Sequence, residues 1–414
     1  MEQGTHPPAA VAAAADLDRL RRPRAAPPSS PTSGVGGSEG SAVGGLGFPE
    51  DPLTEILSRL PAKPLFRFKC VSKAWFALVA DCLRKLPQTL QGFFYGEHFV
   101  DLLGRSMPPV DPNFTFLTKL PEIEKISLMR SCNGLVLLRH TPFLDPNDTK
   151  ALGYIVCNPA TKEWVDVPNS GWTLQPLHEE YYNTEDAHTI TYLFFDPAVS
   201  LQFKLFQFCQ DFSMNVLQVN TYSSESGVWS GRAVECWSHE AMRSRIGSAL
   251  VNGMLHWTIF CRSAQQNALV AVDGEGEKCR IIHWPNEERG LLVFLGQSQG
   301  LLHCMSGRMD DFNKFTELSI WVLEDYDAEK WILKHSVSCL HLFGEPSCCV
   351  HNYHIAIHPD HNLVFFVQRL NKKLISYDLD SKELSVLCTL EHNCAFITPY
   401  VPYFVESSVL VKKS

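Results

Sequence analysis

The chain has 414 residues, 45% hydrophobic and 20% charged, too long for one small core and ordinary in balance for a globular protein. No apolar run approaches the roughly 18 residues that span a membrane. The formal net charge of −9 is uneven. Residues 48–86 hold seven basic against four acidic side chains and leave an acidic main body, which argues against nucleic acid as principal partner because phosphate binding needs a cationic surface.

Residues 1–46 are dominated by Ala, Gly, Pro and Ser. Such a segment cannot bury enough apolar surface to offset its ordering entropy, so a disordered tail is predicted. Its glycines lack the Gly-Lys-Ser/Thr of a phosphate loop. The alanine run 9–15 has its arginines behind it, so it does not read as a secretory signal. The cluster RLRRPR at 19–24 reads as a solvated charge run more readily than as a nuclear import signal. Many of the 14 cysteines, such as Cys132, Cys157, Cys209 and Cys388, sit in strand-like apolar runs, where a reduced thiol is a small hydrophobe. A reducing intracellular compartment follows as the expectation, nucleus, cytoplasm or both.

Residues 47–88 change character. Pro49 and Pro52 bracket Glu50 and Asp51, a helix start with proline tolerated and acids favoured by the dipole. Leu53, Ile56, Leu57 and Leu60 then fall on one helical face before Pro61 stops it. Pro64 opens a short second helix carrying Leu65 and Phe68, and Val71, Trp75, Leu78 and Cys82 give a third apolar face. Three helices in so few residues form a unit that is marginal without a partner to cover it.

From residue 89 to 414 the pattern is all β. Short β-branched and aromatic runs are broken by Gly, Pro, Asn and Asp. A strand–turn–strand piece recurs in YIVCNPATKEWVDVP, VNTYSSESGVWSG, LVAVDGEGEKCRIIHWP, SIWVLEDYDAEKWILKHS and LISYDLDSKELSVLCTL, with turns near 159, 225, 275, 326 and 380. SCNGLVLLR, LVNGMLHW and GQSQGLLHCM alternate with it as a second hairpin type. Repeats of this length with about four strands each favour a β-propeller over an irregular sandwich.

Chemistry is harder to place. SCCVHNYHIAIH gathers Cys348, Cys349, His351, His354 and His358, but adjacent cysteines on a strand face opposite ways and no second paired cluster accompanies them. H-E-x-x-H is absent. The acids of EDYDAEK at 324–330 read as a solvated hairpin. No catalytic, cofactor or metal residue is assigned.

The helical unit resembles an F-box, as found in plant F-box proteins with a C-terminal F-box-associated, kelch-like domain. The matching positions are Phe48-Pro49, Glu50-Asp51, Ile56-Leu57, Arg59-Leu60-Pro61, Lys63, Leu65, Arg67-Phe68-Lys69, Val71-Ser72-Lys73 and Trp75. Phe48 and Pro52 depart from the usual leucine and aliphatic residue. The pieces LPQTLQGFFY, SCNGLVLL, VCNPATKEW and FDPAVSLQFKLFQF look like the associated domain. The resemblance implies an α+β chain of tail, three-helix F-box and propeller-like domain. It also implies a non-catalytic role as substrate-recognition adaptor of a Skp–cullin–F-box ubiquitin ligase. Pro49, Leu53, Ile56, Leu57, Leu60, Pro61 and Leu65 would then face the Skp-type adaptor, and Phe68, Val71 and Trp75 would form the unit's own core. Cullin and RING subunits would be indirect partners, and a substrate protein would bind the β domain through residues no motif reveals. The rival expectations are a non-degradative interaction scaffold and a propeller-type enzyme.

Overall fold

The computed structural model describes residues 53, 55–57, 68, 71–85 and 89–410, less 106–107, 118–122, 143–152, 173–188, 211–215, 234–240, 243–245, 262–265, 285–289, 349–352, 369–370, 392–396 and 406. The predicted tail lies outside these, as do Pro49, Leu60, Pro61 and Leu65. Leu53, Glu55, Ile56, Leu57 and Phe68 are helical. Helix α1 then runs Lys73–Lys85. It begins where Ser72 Oγ accepts the Trp75 N–H at 3.2 Å, an N-cap that closes the first turn.

The rest is a ring of antiparallel sheets. After α1 come β1 (Gly92–Tyr95) and β2 (His98–Asp101). Blade 1 holds β3 (Ile123–Cys132), β4 (Leu135–Pro142), β5 (Gly153–Asn158) and β6 (Glu163–Val167). Blade 2 holds β7 (Thr189–Phe195), β8 (Phe203–Gln210), β9 (Val216–Ser223) and β10 (Val228–Ala233). In blade 3, β11 (Ala241–Met242) and β12 (Ser248–Val251) both pair with β13 (Met254–Cys261), followed by β14 (Gln266–Asp273) and β15 (Cys279–His283). Blade 4 holds β16 (Leu291–Ser298), β17 (Leu301–Met309), β18 (Phe315–Asp325) and β19 (Lys330–Ser338), and is followed by the short helix α2 (Cys339–Phe343). Blade 5 holds β20 (Tyr353–Ile357), β21 (Leu363–Gln368), β22 (Lys373–Asp378) and β23 (Leu384–Thr389). The sixth blade joins both ends of the domain: β24 (Thr398–Tyr400) pairs with β1 through Gly92↔Tyr400, Phe93↔Pro399 and Phe94↔Thr398, and β1 pairs with β2.

The inner strands read as continuous apolar runs because both of their faces are buried between blades. In LVLL of β4, Leu135 and Leu137 enter the core shared with blade 2, while Val136 and Leu138 enter the one shared with blade 6. In β14, Leu269 and Ala271 face blade 4, and Ala268, Val270 and Val272 face blade 2. Six such interblade cores complete the circle, so a six-bladed propeller is the architecture. Between blades 1 and 2 the packing is partly polar: Thr191 Oγ1 and Gln207 Nε2 both donate to the Tyr154 hydroxyl, at 2.9 and 3.1 Å, inside the protein.

The two hairpin types seen in the sequence are the inner and outer hairpins of the blades. Asn133-Gly134, Asn252-Gly253 and Gln299-Gly300 are the inner two-residue turns, with positive φ at both positions, the geometry that matches strand twist. At Gly134 (φ +89°) a Cβ would stand 2.3 Å from that of Tyr403, so only glycine fits under the C-terminal segment.

Candidate protein-interaction surfaces

Two surfaces follow from how the strands alternate. Inner (first–second) and outer (third–fourth) turns of blades 1 to 5 leave from one end of the ring, and the remaining connections leave from the other. The turn end is knitted together: Asn133 Nδ2 donates to the Phe195 carbonyl at 2.8 Å, and Asn362 Nδ2 donates to Asp380 at 2.8 Å. The outer turn 324–330 is the solvated hairpin its acids suggested, with Glu324, Asp325 and Asp327 exposed, and it also reaches the neighbouring blade. The Tyr326 hydroxyl lies 2.8 Å from His256 Nε2 in blade 3, and Arg280 reaches Asp327 and Glu329.

The helical unit sits at this same end. Leu57, Val79 and Cys82 form its small core, with Leu53, Phe68, Trp75 and Leu78 packed against them and Phe404 of the propeller's C-terminal segment joining in. Phe68 and Trp75 rings stand 5.5 Å apart, tilted by 44°. Ile56, expected to face the adaptor, is 61% exposed. Two placements differ from the sequence reading. Leu57, expected outward, is only 2% exposed, because the helical face it shares with Leu53 turns onto α1. Val71, expected in the core, is 58% exposed, because Ser72 caps α1 and leaves Val71 one residue outside it. Phe76, which the sequence reading passed over, is 45% exposed. Its signal was an aromatic off the Trp75–Leu78–Cys82 face. Ile56, Val71 and Phe76 are thus large apolar groups on a small unit, open to solvent.

At the other end lie the second–third turns of blades 1 to 5 and the connections from each blade to the next. One of these is built to present a side chain. Between β17 and β18, Asp310 accepts the backbone N–H groups of Phe312 and Lys314, each at 2.9 Å, and Asn313 takes φ +58°. Those bonds to the carboxylate hold Asp310 below the usual carboxylate range. Phe312 is left 82% exposed at the tip. No spacing rule could have found it, since a loop tip has no periodic pattern.

The titratable groups inside the ring are held neutral by burial. Burial lowers His256 and His303 to about 4. It pushes the Cys132 and Cys209 thiols up to about 12 and Cys388 to about 11, as expected of cysteines acting as core hydrophobes. Of the SCCVHNYHIAIH candidates, Cys349 and His351 lie outside the described residues, while Cys348 pairs with Phe315 at the start of β18, His354 lies within β20, and His358 lies beyond its far end. Among the described residues no group of three His, Cys, Asp or Glu side chains could hold a metal. Among the same residues no helix is long and apolar enough to cross a membrane.

Comparison with known proteins places both halves. Residues 46–86 match the F-box domain, and residues 94–400 match the family described as F-box protein At3g26010-like, beta-propeller. The chain is similar to an F-box/kelch-repeat protein of Arabidopsis thaliana, At1g15680, at 25% identity over 82% of this chain and 83% of the relative. F-box protein At5g49610 from the same plant is 26% identical over 70% of this chain and 79% of its own length. F-box protein At1g49990, also from that plant, is 25% identical over 81% and 86%.

Proposed function

Starting from the fact that this chain belongs to the F-box proteins with an At3g26010-like β-propeller, we propose that it is the substrate-recognition subunit of a Skp–cullin–F-box ubiquitin ligase. The observation that carries the reading is the F-box surface itself. A unit with a core as small as Leu57, Val79 and Cys82 leaves Ile56, Val71 and Phe76 open, and burying such groups against a partner is favourable at about 25 cal/mol per Å². The partner is a Skp-type adaptor, through which cullin and RING subunits are reached indirectly. Of the residues assigned from sequence, Pro49, Ile56, Leu60, Pro61 and Leu65 stay in the proposed interface. Leu53, Leu57, Phe68 and Trp75 support it from beneath, and Val71 moves into it. The excess of basic residues in 48–86 favours encounter with an acidic partner.

The substrate protein is taken at the end of the ring opposite the F-box, where Phe312 is displayed. In this arrangement the chain contributes no catalytic residue, since ubiquitin would arrive from a conjugating enzyme held elsewhere in the complex. It works without metal or cofactor, away from membrane and nucleic acid, in nucleus or cytoplasm. The test is co-purification of the full chain with a Skp-type adaptor and cullin, followed by identification of proteins that accumulate when residues 47–88 are deleted. Adaptor binding without cullin assembly, and with no protein changing its half-life, would favour the non-degradative scaffold instead.

A further inference from the structure

Among the described residues, Cys339 and Cys348 are two cysteines that meet. Their sulfurs are 3.2 Å apart, and both side chains are buried in the core between blades 4 and 5 among Phe315, Val337 and Leu342. Each is positioned by its own backbone. Cys339 opens α2, whose first turn is closed by Ser338 Oγ accepting the His341 N–H at 3.2 Å, and whose end is closed by Gly344 in the left-handed region, its N–H bonded to the Leu340 carbonyl at 2.9 Å. Cys348 exchanges two backbone hydrogen bonds with Phe315, both 2.8 Å. Cys157 and Cys304 are buried in other interblade cores, Cys157 beside Tyr400.

We propose that Cys339 and Cys348 form a reversible thiol–disulfide site that takes a low-molecular-weight disulfide of the glutathione type as oxidant. The step balances as two exchanges. The Cys339 thiolate attacks one sulfur of oxidised glutathione, giving a mixed disulfide and releasing one glutathione thiolate. The Cys348 thiolate then attacks the Cys339 sulfur and releases the second. Two electrons pass to the oxidant's S–S bond, and the two protons from the protein end on the two glutathione thiols. Contact with the Cys348 thiol holds Cys339 below the ordinary thiol value, which favours it as first attacker. Access comes by local opening of the segment between the two cysteines, where Leu340, Glu345 and Pro346 are exposed. The bond would staple the α2 segment to the start of β18, at the end of the ring opposite the F-box. The site stands whether or not the chain serves a ligase.

The test uses the purified full chain, incubated folded with oxidised glutathione, alkylated, digested without reductant and analysed by mass spectrometry. The expected result is a peptide pair joined through Cys339 and Cys348, two hydrogens lighter than the free peptides, with Cys157 and Cys304 still alkylated only after unfolding. The oxidised chain melts a few degrees higher than the reduced one. Cys348→Ser abolishes the joined pair and leaves glutathione on Cys339. The proposal is overturned if both thiols stay alkylatable at every glutathione ratio, if Cys348 joins Cys349 instead, or if oxidation lowers the melting temperature.

Discussion

Acidification from pH 7.5 to 5.0 should strip this propeller of much of its stability through three buried histidines. His256, His303 and His358 are lowered to about 4, 4 and 3, each chiefly by burial. Their bonding fits the neutral ring. His256 Nδ1 lies 3.3 Å from the Ala249 carbonyl while Nε2 faces the Tyr326 hydroxyl. His303 Nε2 is buried without a partner. His358 Nδ1 accepts the N–H groups of Asp360 and His361 at 3.0 and 3.2 Å, so a proton there would displace both. All three folded-state values lie below the ordinary 6.5. Below pH 6.5 the unfolded chain therefore binds more protons than the folded one, and stability that is complete above that point falls as the pH drops toward 4. At pH 5 the loss is about 2 kcal/mol per histidine, about 6 in all if they act independently. That is comparable with the whole stability of many domains, about 5–15 kcal/mol. Asp360 works in the opposite sense, its carboxyl raised by burial, and offsets part of this loss. The assay is a urea titration followed by tryptophan fluorescence at pH 7.5, 6.5, 5.5 and 5.0. His303→Gln should reduce the slope of stability against pH by up to about 1.4 kcal/mol per unit. An unfolding midpoint that does not move between pH 7.5 and 5.0, or a slope unchanged in His303→Gln, refutes the reasoning.

Other substitutions separate roles that lie close in sequence. Ile56→Lys should leave the chain folded, judged by its melting curve, yet reduce adaptor capture more than tenfold by placing a charge in an apolar interface. Leu57→Ala should act instead on the fold, costing about 2–4 kcal/mol as a cavity in a very small core, seen as protease sensitivity of residues 47–88. Gly134→Ala should destabilise the ring strongly, since its Cβ meets Tyr403, whereas Gly300→Ala, with open space around it, should cost only the left-handed backbone penalty of about 1 kcal/mol. A thermal melt ranks the two. Arg280→Ala should shift that melt little, because its partners Asp327 and Glu329 are surface groups and exposed ion pairs contribute about 0–1 kcal/mol.

The parts of this architecture legible in the sequence are those with local periodicity. The turns near 159, 225, 275, 326 and 380 are the outer hairpins of blades 1 to 5, and the Asn-Gly and Gln-Gly pairs are inner turns, because a positive φ at both positions selects few residues. The number of blades was not legible. The sixth is assembled from Gly92–Tyr95, His98–Asp101 and Thr398–Tyr400, and a strand whose partner lies some three hundred residues away leaves no repeat to count. The side of each F-box residue was legible only in part. Helical spacing puts Ile56 and Leu57 on one broad stripe, and what separates them is where α1 crosses it, a tertiary fact. Cys339 and Cys348 were invisible as a pair because a short helix and an isolated bridge, not a motif, bring their sulfurs together.

The last dozen described residues tie the two halves of the chain to each other. Thr398–Tyr400 closes the ring against β1, the Tyr403 carbonyl accepts the Asn158 side-chain amide at 2.7 Å and its backbone and Cβ cover Gly134, and Phe404, one residue later, packs on the F-box core. The F-box unit is too small to hold itself rigidly, so its orientation depends on a segment that is itself fixed only when the propeller is closed. Phe404→Ala separates these effects. Truncating a half-buried aromatic should cost about 1–3 kcal/mol, and it should fall on the F-box alone, since Tyr403 and β24 keep their own partners. Hydrogen exchange should then rise in α1 while the amides of β1 and β24 stay protected. Exchange rising equally in β1 and β24 would mean that docking and closure are one event, and that Phe404 is part of the ring and not the joint between its two functions.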